Sequence, residues 1–157
     1  MPRTEFTVGV ISDTHGLLRP EAVAALMGTD HIIHAGDIGN ADILRQLSAI
    51  APITAVRGNN DKGAWTSRIP EADVIQVGAA IIYVIHDVHA LDFDPAASGF
   101  HAVVAGHSHH PGIELHEGVQ FFNPGSAGPR RFKLPISIGH LTISETSITP
   151  RLIELIV

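Results

Sequence analysis

Cysteine is absent from the 157-residue sequence, which excludes disulfide bonds and thiolate metal sites. Aromatic residues make up only 5% of the chain, so the sequence gives little indication of a stacking platform for nucleic-acid bases. No apolar run approaches the ~20 residues that a membrane span requires. The N-terminal segment also lacks the basic stretch and long apolar run of a signal peptide. We therefore expect a cytoplasmic protein that does not bind membranes.

Positive charge is scarce as well. Ten Lys and Arg residues stand against 16 Asp and Glu residues, giving a formal net charge of −6, which argues against nucleic acid as a stable partner. A phosphorylated substrate is not excluded, because a bound metal can reverse the local field. The hydrophobic content of 45% is typical of a globular protein, and the length suits a single domain spanning residues 1–157. The unusual number is 11 histidines.

The hydrophobic pattern predicts an α/β fold in the first half of the chain. Strands over 6–12, 31–37 and 53–58 alternate with helices over 19–28 and 40–50, which indicates parallel strands with right-handed crossovers. The second half reads as mostly β, with a hairpin around Gly78, a strand over 101–107, a reversal at Glu117–Gly118 and a final antiparallel pair. We expect a sandwich of two sheets flanked by helices.

Polar residues cluster where the predicted strands end, at the side of a sheet where α/β proteins bind ligands. Carboxylate, amide oxygen and imidazole together suit divalent ions such as Mn, Fe, Zn, Co or Ni. Seven such ligands are too many for one ion, but they fit two ions that share a bridging carboxylate about 3.5–4 Å apart. The clusters are Asp13-Thr14-His15, Gly36-Asp37, Gly58-Asn59, His86-Asp87 and Gly106-His107-Ser108-His109.

The order D-x-H, G-D, G-N-x-D, H, G-H-x-H resembles the metallophosphoesterase superfamily, the calcineurin-like phosphoesterases. "NPGSAGPR" (123–130) is similar to a segment of its small bacterial and archaeal phosphodiesterases. The resemblance implies a four-layer α/β/β/α sandwich with two divalent metal ions, Mn²⁺ being the first choice and Ni²⁺, Co²⁺, Fe²⁺ or Zn²⁺ the alternatives. It implies one ion on Asp13, His15 and His109, a second on Asn59, His86 and His107, and Asp37 bridging both.

The same resemblance implies hydrolysis of a small-molecule phosphodiester by a hydroxide that bridges the ions, since metal binding lowers the pKa of water to roughly 7. Two carboxylates against two divalent ions leave about two positive charges, which would attract a phosphodiester anion. The catalytic residues implied are Asn60, Asp61 and His86, the last of which also binds metal. Asp61 would orient its neighbour; a turn-capping role explains it equally well.

Two positions depart from the family pattern. Many members have a histidine where this chain has Asn60, and an amide has no proton to give to a leaving group. We therefore expect aryl diesters to be cleaved much faster than alkyl ones, unless His89 or His110 supplies the proton. Small members usually have glycine where this chain has Asp87, a carboxylate that could support an imidazole ligand or crowd the second metal.

Two other functions stay open. One is a catalytically silent protein-binding scaffold, as in the retromer subunit that has this fold. The other is a phosphomonoesterase or nucleotide hydrolase at the same metals. A homo-oligomer is also possible on the sequence. The remaining histidines in or near strands are expected to be structural, with His34 the nearest to interest because it precedes Asp37 by three residues. Arg130 and Arg131 are expected to be surface charges, with contact to substrate phosphate as the alternative.

Overall fold

The computed structural model describes residues 3–157, which form two five-stranded sheets. The first sheet contains β1 (Glu5–Ile11), β2 (His31–His34), β3 (Ile53–Ala55), β9 (Ser137–Ser144) and β10 (Ser147–Glu154). The second contains β4 (Ala72–Val77), β5 (Ala80–Ile85), β6 (Ala102–Val104), β7 (Gly112–His116) and β8 (Val119–Asn123). The strand orders are β10-β9-β1-β2-β3 and β4-β5-β6-β8-β7.

In the first sheet β1, β2 and β3 run parallel, while β9 and β10 pair antiparallel beside β1. The crossovers between the parallel strands are the helices α1 (Pro20–Leu26) and α2 (Ala41–Ser48). Pro20 lies at the first helical position, where its missing N–H costs nothing. Asn40 caps α2, since its side chain accepts a hydrogen bond from the Ile43 N–H at 3.2 Å. Both helices pack on the outer face of this sheet through one apolar cluster.

The second sheet is also mixed. Strands β5, β6 and β8 are parallel, and antiparallel hairpins add β4 and β7 at its two edges. The β7–β8 hairpin turns at Glu117–Gly118, as the sequence predicts, with both residues at positive φ. The main core lies between the sheets, and its fully or nearly fully buried side chains include Val10, Val84, Phe122 and Leu141.

The outer face of the second sheet is covered differently from that of the first. Tyr83 points away from the core and packs edge-on against Phe93 and Phe100, at 4.9 and 5.3 Å between ring centroids. The segment that carries these rings contains one 3₁₀ turn, Val88–Ala90, and no α-helix. The two-sheet sandwich expected from the sequence is confirmed, with this outer layer built mainly from irregular chain.

Several strands end earlier than the sequence predicts. Strand β2 stops at His34 rather than at residue 37, β3 at Ala55 rather than 58, and β6 at Val104 rather than 107. The residues beyond these ends form turns that the apolar pattern alone does not reveal. Within residues 3–157, no helix combines the length and the apolar character that crossing a membrane requires.

Candidate metal centre

The carboxyl ends of five strands converge at one side of the sandwich, between the two sheets. The polar residues there follow β1 (Asp13, His15), β2 (Asp37), β3 (Asn59), β5 (His86) and β6 (His107, His109). The first sheet thus supplies the carboxylates and the amide, and the second sheet supplies three of the four imidazoles.

One group of possible ligands consists of Asp13, His15 and His109. One ligand atom from each lies within 4.8 Å of the others. Asp13 Oδ1 lies 3.4 Å from His109 Nε2 and 3.7 Å from His15 Nε2. The two imidazole nitrogens are themselves 3.4 Å apart. These atoms surround a common point, as the ligands of a single ion do.

A second group shares Asp13 and adds Asp37 and His86, again with ligand atoms within 4.8 Å of one another. His86 Nε2 lies 3.3 Å from Asp37 Oδ2, 4.0 Å from Asp13 Oδ1 and 3.1 Å from Asn59 Oδ1. Asp37 Oδ2 is also 3.7 Å from His15 Nε2 in the first group. Asp37, a member of the second group, therefore also faces the first, while Asp13 belongs to both.

His107 belongs to neither of the two groups. Its ring centroid is 5.1 Å from that of His86, and its Nε2 faces Asp87 Oδ2 at 3.8 Å. Its backbone N–H donates to Asp13 Oδ2 at 3.1 Å. The turn is thus fixed to the first group, while the imidazole stands at the edge of the second, beside the carboxylate that departs from the family pattern.

Backbone conformation at the site is unusual. Five of the seven residues have positive φ: Asp13 (55°), His15 (46°), Asp37 (55°), His107 (70°) and His109 (63°). Such conformations cost about 1–3 kcal/mol each in residues other than glycine, and they persist only where the surroundings impose them. Here the turns hold one another, because Asp13 N–H donates to the Gly36 carbonyl at 3.0 Å and His15 N–H to the Asp37 carbonyl at 2.9 Å.

The carboxylates are held in their charged form. Burial would raise the pKa of Asp37, but interactions with His86 and Asn60 outweigh burial and leave that pKa well below its usual range. Burial likewise opposes ionisation of Asp13, yet its contacts with His15 and Ser12 and the nearby His86 and His109 lower its pKa overall. Both groups are acceptors without a proton at neutral pH, as metal ligands must be.

The pKa values of the imidazoles shift in both directions. The Asp13 carboxylate raises the pKa of His15. Burial lowers the pKa of His109. For His86, burial works downward, but the bonds to Asp37 and to the Ala35 carbonyl raise the pKa overall.

The buried carboxylate of Asp13 is only partly hydrogen-bonded. Asp13 Oδ2 accepts hydrogen bonds from Ser12 Oγ at 2.7 Å and from the His107 N–H, but the buried Oδ1 has no hydrogen-bond partner within residues 3–157. An ionised oxygen buried without a donor is costly. A cation between Oδ1 and the surrounding imidazoles would satisfy it, and the mixed oxygen and nitrogen donor set suits a divalent transition ion. The residues present therefore fit the metal ions that the motifs indicate.

The two remaining predicted catalytic residues lie beside Asp37. Asn60 is exposed, and both its backbone N–H and its side-chain amide donate to the Asp37 carboxylate, at 2.9 and 3.0 Å. Asp61 is buried and accepts from the backbone N–H groups of Ile38, Gly39 and Gly58 at 2.9–3.1 Å. The structure thus places Asp61 as a tie between two metal-site turns rather than at the open face.

Three contributors to the site are not apparent from the sequence motifs. Ser12 binds Asp13 directly, and Ser126 Oγ, within the "NPGS" segment, donates to the Asp13 carbonyl at 3.0 Å. His34 lies behind the turns and is fully buried. Only its position three residues before Asp37 hints at this in the sequence. Ser12 and Ser126 lie next to motifs, but serine is too common for adjacency to indicate a role.

An open cleft of about 410 Å³ lies beside the second group. Its lining includes Asn59, His86 and His107 from the site, and Arg57, Asp87 and Asp92 around it. The size suits a small molecule. The alternative proton donor His89 lies next to the cleft, with Nδ1 3.2 Å from Asp87 Oδ1 and a side chain that is 90% exposed.

Comparison of the sequence with known proteins finds relatives over most of the chain. Residues 6–146 match the family model of the calcineurin-like phosphoesterase superfamily domain. A probable metallophosphoesterase of Methanothermobacter thermautotrophicus is 38% identical over 130 residues, which is 76% of each chain.

Solved structures share the fold at low identity. A Vacuolar Protein Sorting 29 from Cryptosporidium parvum superposes with a TM-score of 0.84 at 18% identity, covering 98% of this chain and 93% of that one. An archaeal phosphodiesterase superposes with a TM-score of 0.77 at 21% identity, covering 94% of this chain and 99% of that one.

Proposed function

This chain belongs to the calcineurin-like phosphoesterase superfamily, and from that premise we propose that it is a phosphodiesterase that works with two divalent metal ions. Membership supports a metal-dependent phosphoric ester hydrolase. The observation that carries the two-metal proposal is the buried Asp13 Oδ1, which has no hydrogen-bond partner in the described part of the chain and lies where the two ligand groups meet.

In this proposal Asp13, His15 and His109 hold one ion, Asn59, His86 and His107 hold the other, and Asp37 bridges them. The distances from Asp37 Oδ2 to His15 in one group and His86 in the other support the bridging role. Mn²⁺ is the ion we propose first, because the three oxygen-bearing side chains add hard ligands to the imidazoles.

Divalent ions at this site would activate a water molecule and stabilise charge on the phosphoryl oxygens. The chain itself keeps Asp13 and Asp37 ionised and holds Asp37 in place through both hydrogen bonds from Asn60. Asn60 can orient a group by hydrogen bonding, but it cannot protonate a leaving group. The cleft beside Asn59, His86 and His107 offers room for the part of the substrate beyond the phosphoryl group.

The test uses protein stripped of metal with a chelator and then supplied with Mn²⁺, Ni²⁺, Co²⁺, Zn²⁺ or Mg²⁺. Each sample is assayed on bis-p-nitrophenyl phosphate and on the corresponding monoester, and bound metal is counted by calorimetric titration. We expect two ions per chain and metal-dependent cleavage that favours the diester. Asp37→Asn and His107→Ala should each lower the rate at least ~10²-fold. His116→Ala, an exposed histidine on β7, is the matched control and should leave the rate unchanged.

Other results would redirect the assignment. Preference for the monoester would replace the diesterase with a phosphomonoesterase or nucleotide hydrolase at the same metals. Absence of turnover with any metal, despite two bound ions, would favour a protein-binding scaffold. The specific observation behind that alternative is the fold likeness to Vacuolar Protein Sorting 29.

A further inference from the structure

We propose that His34 is a positioning residue that sets the spacing between the two turns carrying Asp13, His15 and Asp37. The proposal rests on the metal site of the proposed function and not on its substrate. His34 is the last residue of β2, and its side chain is fully buried behind the site. It touches neither the cleft nor the proposed ions.

Two hydrogen bonds fix the state of the imidazole. The backbone N–H of Gly36 can only donate, so His34 Nδ1, 3.1 Å away, accepts and carries no proton. Thr14 Oγ1 gives its proton to the Ile38 carbonyl at 2.7 Å, because a carbonyl can only accept. The same hydroxyl oxygen, 3.0 Å from His34 Nε2, must therefore accept, so Nε2 carries the proton. One neutral tautomer satisfies every partner.

This pair of bonds spans the site. Thr14 lies between Asp13 and His15, and Gly36 directly precedes Asp37. The strand register of β1 and β2 ends at Ile11 and His34, and beyond it backbone bonds from Asp13 to Gly36 and from His15 to Asp37 join the two turns. The His34 ring adds a side-chain link between the same turns, from the side opposite the proposed ions. A shift of one turn against the other would change the distance between the carboxylates that meet at the site.

Histidine is suited to the task because its neutral ring presents an acceptor and a donor at fixed separation. Burial lowers the pKa of His34 to about 4, so the ring stays neutral at physiological pH despite the nearby carboxylates. The acceptor at Nδ1 and the donor at Nε2 can be removed one at a time by substitution. His34→Asn can keep an acceptor at the position of Nδ1, and His34→Gln can keep a donor at the position of Nε2.

The chain provides a matched control at the other end of the same strand. His31 Nε2 is 2.8 Å from Thr54 Oγ1, a histidine–threonine pair like that of His34 and Thr14 but remote from the turns. His31→Gln therefore makes the same chemical change in the same strand. Thr14→Val removes the hydroxyl that links His34 to the first turn, together with its bond to the Ile38 carbonyl, while keeping the shape of the side chain.

The experiment titrates Mn²⁺ into metal-free wild type, the four single variants and one double variant by calorimetry, and compares the visible absorption of the Co²⁺-loaded proteins. We expect His34→Asn, His34→Gln and Thr14→Val to weaken metal binding about 10–100-fold and to alter the Co²⁺ spectrum. His31→Gln should match wild type in both. The double variant Thr14→Val/His34→Asn should bind no more weakly than the weaker single variant, since both changes break the same bond.

Wild-type affinity and spectra in the His34 and Thr14 variants would overturn the proposal. An equal loss in His31→Gln would also overturn it, since the effect would then be general destabilisation. If circular dichroism shows that the His34 variants do not fold, the metal affinity and the Co²⁺ spectrum of Thr14→Val decide the test. A wild type that binds no ions would defeat both this proposal and the proposed function. A wild type that binds two ions without cleaving diesters would defeat only the diesterase.

Discussion

Asn60 stands where the family resemblance leads us to expect a histidine, and in the structure it binds Asp37. Its backbone N–H and its side-chain amide both hold Asp37, which explains why an amide suits this position. An amide side chain cannot protonate a leaving group, so this position cannot act as a general acid. General acid catalysis is typically worth ~10²–10⁴ in rate, so its absence should matter most for poor leaving groups.

We predict that Asn60→His raises the alkyl-to-aryl ratio of diester cleavage by at least ~10-fold over wild type. Wild type itself should cleave aryl diesters much faster than alkyl ones. The measurement compares kcat/KM for bis-p-nitrophenyl phosphate and methyl p-nitrophenyl phosphate with that for a dialkyl ester. An unchanged ratio, with aryl and alkyl esters cleaved alike by both proteins, would point to a proton donor elsewhere. The first candidate is His89, which contacts the cleft residue Asp87.

The residues at the metal site differ in how well the sequence reveals them. Asp13 and His15 share a short motif with fixed spacing, as do His107 and His109, so their chemistry can be inferred without coordinates. Asp61 is different. The motif suggests a residue that orients its neighbour, whereas its carboxylate accepts three backbone N–H groups from two separate turns. The spacing of motif residues along the sequence does not show which backbone N–H groups a carboxylate will meet across a turn.

At the level of elements, the site is built from turns after strands, and the turns depend on close approach of backbone. The alternation of strands and helices in the first half could be predicted from apolar runs, and so could the hairpins in the second. The early ends of β2 at His34 and of β6 at Val104 could not be predicted. Strand propensity does not show which residues adopt a left-handed backbone conformation, as Asp37 and His107 do just beyond these ends. The irregular layer around Phe93 and Phe100 likewise lacks any periodic pattern.

Gly58 offers a direct test of that close approach. A Cβ at this position would overlap the Asp37 side chain and backbone, although the φ of Gly58 is one that other residues adopt. We predict that Gly58→Ala weakens metal binding about 10-fold or more, because Asp37 must move. Calorimetric titration with Mn²⁺ measures the change.

Gly112→Ala is the control for that prediction, since a Cβ at Gly112 meets no atom of residues 3–157 within 4 Å and its φ is also unstrained. It should bind metal as wild type does. Equal affinity in the two variants would show that the turn at Gly58 yields without disturbing Asp37.

At the level of the whole molecule, the buried His34 makes the stability of the metal-free protein depend on pH. Its pKa of about 4 in the folded state lies below the ordinary value of 6.5, because burial opposes the charged form. Between pH values of about 4 and 6.5, the imidazole of His34 is protonated in the unfolded chain and neutral in the folded chain. Stability therefore falls as the pH drops from about 6.5 to about 4, by roughly 1.4 kcal/mol per unit within that window.

We predict that metal-free wild type loses about 2 kcal/mol more than His34→Gln between pH 7 and pH 4.5. Urea unfolding of both proteins at the two pH values gives the difference. The comparison isolates His34, because the pKa shifts of the other histidines, upward for His15 and His86 and downward for His31 and His109, are present in both proteins. Parallel losses in the two proteins would mean that His34 accepts a proton without disrupting the fold.

The division of the site between the two sheets has a mechanical consequence. The first sheet contributes Asp13, His15, Asp37 and Asn59, and the second contributes His86, His107 and His109. Ions held by both would act as cross-links between chain segments as far apart as residues 13 and 109, in a protein that has no cysteine for the purpose. Such links would stabilise the folded state by mass action and would have to break before the sheets could separate. The catalytic centre would then also govern how long a folded molecule lasts.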